Sequence, residues 1–131
     1  MKEKLVELST RLKNLHKQFL DNERNESEKQ LGRKISPYDF FHLLVQDKDF
    51  AWLKPFSALM AEIDEFVDTA EKISQNDLDR IKDQVNAILH DPGSKIAERY
   101  KHYLYHDGEF ILYHSWLNKA LKDLAAKPGH S

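Results

Sequence analysis

Seven histidines in a chain of 131 residues are the first place to look for chemistry. His102 and His106 stand four apart, and on a helix that spacing turns two imidazoles the same way, as a divalent metal would need. At 100° per residue, however, they sit roughly 100–140° from the apolar side marked by Ile96, Tyr100, Tyr103 and Leu104. They are metal candidates on the rim of a helix rather than in its core. No Glu has a His three residues later, so the carboxylate-bridged di-iron pattern is missing. The His-Glu-x-x-His zinc motif is also absent. Asp47 and Asp49 lack the further ligands, the glycine and the closing Glu of a calcium loop. No cofactor is expected.

Nucleophilic and acid–base chemistry find no better footing. His114 and Ser115 are neighbours, which on a helix point about 100° apart and cannot act as base and nucleophile. There is no Cys, no Gly-x-Ser-x-Gly elbow and no phosphate-cradling glycine loop. Carboxylate pairs such as Asp64/Asp68 and Asp79/Asp83 lie on polar faces, where little shifts a pKa. A non-enzymatic role is the expectation.

The C-terminal third is richer. Tyr100, Tyr103, Tyr105, Phe110, Tyr113 and Trp116 place six aromatics within 17 residues. Phe110, Leu117, Leu121 and Leu124 form one apolar side of a helix. Leu112 and Trp116 fall on another side, with Tyr113 and Ala120 between. So wide a stripe is either covered on two faces or partly given to a partner. Double coverage is the commoner fate of such aromatics. A partner surface built on Leu112, Tyr113 and Trp116 is the other reading, since Trp and Tyr are frequent interface anchors. A pocket using Tyr100, His114 and the more distant Trp52 would make a small-ligand or metal-binding regulator instead. Trp52, beside Pro55 and Phe56, is expected chiefly to pin one helix against the next.

The elements that must position these residues are helices throughout. Leu5, Leu8, Leu12, Leu15 and Phe19 step by 3 and 4. Phe56, Leu59, Met60, Ile63, Phe66 and Val67 repeat the pattern, as do Leu78, Ile81, Val85, Ile88 and Leu89. A first helix is read from Lys2 to Leu31, stopped by Gly32. Its last third, Asp21 to Gln30, has no apolar residue, so it should either project as a solvated helix or fray. Ser36-Pro37-Tyr38-Asp39 opens a short helix carrying Phe40, Phe41, Leu43, Leu44 and Val45, expected to be largely buried. Asp47-Lys48-Asp49 ends it. A third helix starts near Pro55, capped by either Asp49 or Lys54. Ser74-Gln75-Asn76-Asp77 opens a fourth to about Leu89, Ser94 a fifth to Tyr105 or His106, and Asp107 a sixth to about Ala126. The expected fold class is an all-α bundle of five to six helices with a long N-terminal helix. It is read as one domain over residues 1–126, with residues 127–131 a frayed tail.

Composition narrows the partners. The chain is 40% hydrophobic and 32% charged, with 4 Gly and 4 Pro, as a soluble helical protein should be. Residues 1–34 carry nine basic and six acidic side chains; residues 62–91 carry three and nine. A basic arm and an acidic belt could meet between copies, or simply be solvated helix faces. An isoelectric point near 6.4 argues against nucleic acid. The longest apolar runs, such as Phe110-Ile111-Leu112-Tyr113, are far too short for a membrane span. The first residues, Met-Lys-Glu-Lys-Leu-Val-Glu-Leu, hold no signal-peptide core. The expected setting is therefore cytoplasmic and the expected partner a protein or a second copy, as a homodimer, with neither nucleic acid nor membrane.

Leu15-His16-Lys17-Gln18-Phe19-Leu20-Asp21, Ser36-Pro37, and Asp49-Phe50-Ala51-Trp52-Leu53-Lys54-Pro55 through Ile63-Asp64-Glu65 resemble a small family of uncharacterised, all-helical bacterial proteins of about this length. Phe-Ala-Trp-Leu-Lys-Pro is the most distinctive piece. The resemblance implies a bacterial, single-domain helical protein and carries no activity or cofactor.

Overall fold

Five leucine and phenylalanine side chains on one side of a 30-residue helix, Leu5, Leu8, Leu12, Leu15 and Phe19, are all buried and give the molecule its spine. In the computed structural model, which describes residues 1–46 and 48–125, this helix is α1, Lys2–Leu31, about 45 Å long at 1.5 Å per residue. It ends at Gly32, whose φ of 70° is the left-handed cap that glycine adopts without a Cβ penalty. There follow α2 (Pro37–Gln46), a 3₁₀ segment (Lys48–Leu53), α3 (Lys54–Thr69), α4 (Gln75–His90), α5 (Lys95–His106) and α6 (Gly108–Asp123). The fold is an all-α bundle, with no strand among the described residues. Asp47, Ala126 and the tail Lys127–Ser131 lie outside those residues.

Neighbouring helices close a ring: α1 packs on α3, α3 on α4, α4 on α5, α5 on α6, and α6 back on α1. Phe19 is the hub. Its ring lies 5.4 Å from Tyr103, 6.0 Å from Phe56, and 6.2 Å from both Phe110 and Trp52. Aromatic pairs at such separations add about 0.5–1.5 kcal/mol beyond the area that they bury. One residue thus ties four separate segments to α1.

Local chemistry sets the helix starts. Ser74 Oγ accepts from Asp77 N–H at 3.2 Å while the Asp77 carboxylate accepts from Ser74 N–H at 2.9 Å, a full capping box. Ser94 caps α5 by accepting from Ala97 N–H, Asp107 caps α6 by accepting from Glu109 N–H, and Ser36 accepts from Asp39 N–H at α2. The start of α3 is different. The 3₁₀ segment runs straight into it, so Leu53 stands at its N-cap without a side-chain hydrogen bond, and neither Asp49 nor Lys54 is the cap. Pro55 falls in the first turn, where its missing N–H costs nothing. At the other end of the chain α6 stops at Asp123, three residues short of Ala126.

Two further expectations depart from the structure. Of the α2 side chains only Phe40 is buried, edge-on to Phe50 at 5.5 Å; Phe41 and Val45 are 60% and 56% exposed. Ten residues crowded with apolar side chains offer more width than one docking contact can cover. The polar end of α1 fails in the opposite direction. It is helical to Leu31 without fraying, and its first residues are not solvated, because Asn22 and Glu23 are buried against Asp107 and Arg99. Its last turn, Lys29 to Leu31, is exposed.

Candidate functional site

The last helix divides its apolar residues between two sides. Phe110, Leu117, Ala120 and Leu121 face the core. Leu112 is 51% exposed and Trp116 42%, and Ile111 shares the open side with them. Tyr113, half-buried, stands edge-on to Trp116 at 5.4 Å. From α1 the Arg11 guanidinium lies 5.4 Å from the centre of the Trp116 ring, and its Nε donates to Glu7 at 2.8 Å. A cation–π contact of this kind contributes about 0.5–1 kcal/mol when exposed. Trp116 is therefore braced on two sides while it remains open to solvent. Glu109 stands at the N-terminal end of this face and Lys119 and Lys122 at the other, all three exposed. Ile111 adds an apolar residue that spacing from Leu112 and Trp116 alone would not pick out.

Tyr100 and His114 come together as a pair. The Tyr100 hydroxyl is hydrogen-bonded to His114 Nδ1, and His114 Nε2 is 3.0 Å from the Asn118 side-chain amide. Burial pushes the Tyr100 hydroxyl pKa upward. Burial also lowers that of His114, with the nearby His90 adding in the same direction. Both imidazole nitrogens thus have partners, and the ring is neutral at pH 7. Such a pair locks α5 to α6 and leaves no free base.

Trp52 belongs to a different place. Its edge meets Phe19, and Lys95 Nζ sits 4.9 Å from the centre of the ring. It lines a cleft of about 590 Å³ together with Phe50, Glu23, Glu98, Lys95 and Arg99; neither Tyr100 nor His114 is part of that lining. Trp52 pins the 3₁₀ segment against the core, and the three residues do not form one pocket. The rings of His102 and His106 lie 4.6 Å apart on α5 beside a shallow depression. Among the described residues no group of three or more His, Asp or Glu side chains is arranged to hold a metal ion.

One polar cluster escaped the sequence pattern. Glu23 accepts from Arg99 Nε at 2.9 Å and from the Tyr103 hydroxyl, and Arg99 Nη2 donates to the same hydroxyl at 2.9 Å. Beside them Asn22 Nδ2 donates to Asp107 at 3.0 Å. Burial, followed by the Glu23 carboxylate, pushes the Tyr103 hydroxyl pKa upward. The available signal was Arg99 and Tyr103 at helical spacing, with Tyr103 on the buried side of α5. Each of these groups satisfies another, so the cluster joins α1 to α5 and presents no activated nucleophile.

Compared with protein-family models, with curated proteins and with solved structures, the chain matches none. No helix among the described residues is long and apolar enough to cross a membrane.

Proposed function

We propose that the chain is a non-enzymatic helical interaction module that pairs with a second copy of itself through the open face of α6. The observation that carries this reading is the exposure of Leu112 and Trp116 on the side of α6 turned away from the core. A large aromatic held in place by Arg11 and Tyr113 loses little side-chain freedom on docking, which favours it as an anchor.

The charge order along the face supports a second copy as the partner. With Glu109 at one end and Lys119 at the other, two α6 helices laid antiparallel across a twofold axis set opposite charges against each other at both ends. Leu112 and Trp116 then meet in the middle. A self-complementary patch of this kind is what a twofold contact requires.

Sedimentation of the full chain over a range of concentrations tests the proposal. The wild type should dimerise. Trp116→Ala and Leu112→Asp should each weaken pairing about 10- to 100-fold with unchanged helicity, as truncation of an interface anchor does. A wild-type chain that stays monomeric at high micromolar concentration overturns it.

A further inference from the structure

Beneath α2 lies a hollow of about 290 Å³ that α6 does not line. Its walls are Leu20 from α1, Phe41, Leu44 and Val45 from α2, and Leu53 at the entry to α3. Lys54, exposed at the rim, is the one charged lining residue, and no ion pair among the described residues engages its ammonium group. Two uncharged polar residues complete the lining: Ser57, whose hydroxyl donates to the Lys54 carbonyl at 3.1 Å, and His16, stacked 4.6 Å from Phe56. No hydrogen bond among the described residues uses its ring nitrogens. Burial lowers the His16 pKa to about 4, so at neutral pH the wall carries no charge.

Ligand sites are mostly apolar hollows with a few convergent polar groups. This one matches that description at the small end of the usual range, roughly 300–1,000 Å³. An apolar cavity of about 150 Å³ accepts benzene, so 290 Å³ suits a body of about eight to twelve carbons. The hollow also explains a cost. Phe41 and Val45 keep apolar surface in water, and an apolar occupant would cover part of it at roughly 25 cal/mol per Å². A lone cation at the mouth of uncharged walls selects an anion over a cation. We propose that this hollow is a binding site for a small carboxylate amphiphile, its chain among Leu20, Leu44 and Leu53 and its carboxylate at Lys54.

Calorimetric titration of the full chain with octanoate, together with amide chemical shifts, tests the proposal. Octanoate should bind saturably, one per chain, and shift the amides of Leu20, Leu44, Leu53 and Ser57. Lys54→Gln should weaken binding about 10- to 100-fold, the size of one charge-assisted hydrogen bond, and octylammonium should not bind. Ser57→Trp, placed at an exposed lining position, should plug the mouth and abolish binding while circular dichroism stays unchanged. Val45→Trp provides a second plug at another exposed position should the first disturb folding. The site is overturned by the absence of saturable heat at millimolar octanoate, by shifts confined to other helices, or by plugged variants that bind like the wild type. Equal binding of 1-octanol, with no effect of Lys54→Gln, overturns the carboxylate assignment.

Discussion

The Glu23 carboxylate accepts from Arg99 Nε at 2.9 Å across 76 residues of sequence, tying the polar end of α1 to α5. Glu23 is only 7% exposed, so Arg99 and Tyr103 stand where water would otherwise bond its carboxylate. Arg99→Ala leaves that carboxylate buried without its cation and should cost about 3 kcal/mol. The double variant Glu23→Leu/Arg99→Leu removes both charges and should cost clearly less. Urea denaturation of the single and double variants measures the difference. A double variant as unstable as the single would mean that the ion pair itself, rather than an orphaned charge, sets the loss.

His16 makes stability depend on pH. Its pKa is near 6.5 in the unfolded chain and about 4 in the folded one, so between those values the unfolded chain binds more protons. Stability from this group is complete above pH 6.5 and is lost as pH falls toward 4, by about 2–3 kcal/mol. His16→Phe should flatten the unfolding free energy over that window. Some slope will persist from His114, whose pKa is shifted in the same direction. Asp64 and Asp77, both held below the usual carboxylate value of 3.8, act only at lower pH.

Charge exchange on α6 tests the direction of the proposed pairing. Glu109→Lys should weaken dimerisation about three- to tenfold at low salt by placing like charges at both ends of an antiparallel contact. Adding Lys119→Glu to the same chain should restore it. Sedimentation equilibrium at low and high ionic strength reads both effects, and salt should shrink them. Parallel packing predicts no rescue.

Phe40 holds α2 to the rest of the molecule through Phe50, and Ile35 N–H adds a 2.6 Å bond to Glu28. Phe40→Ala should release α2 alone. Amide exchange over the residues of α2 should accelerate about 100-fold, because a buried Phe lost to Ala costs about 3 kcal/mol or more. The slowest amides of α1, α4 and α5 should stay within a few-fold of the wild type. Uniform acceleration throughout the chain would show that α2 unfolds only with the whole bundle.

Much of this architecture was legible in one dimension. The helix starts at Ser36, Ser74, Ser94 and Asp107, and the stop at Gly32, rest on contacts within a few residues, so local chemistry suffices to read them. The stripes on α1, α3 and α4 were legible for the same reason: periodicity marks the side that must leave water. Where periodicity was ambiguous, as in α2 and α6, the sequence left two sides apolar and could not say which of them a neighbour covers.

By itself, then, the order of residues determined that the chain is helical, where α2, α4, α5 and α6 begin, and which stripe of α1, α3 and α4 is inward. Only tertiary packing decided that Glu23 meets Arg99, that Tyr100 and His114 pair away from Trp52, and that Phe41, Leu112 and Trp116 remain open. The reason is physical. Propensity, capping and periodicity act over a few residues, whereas burial of a side chain and its polar partners depend on which distant segment folds back upon it.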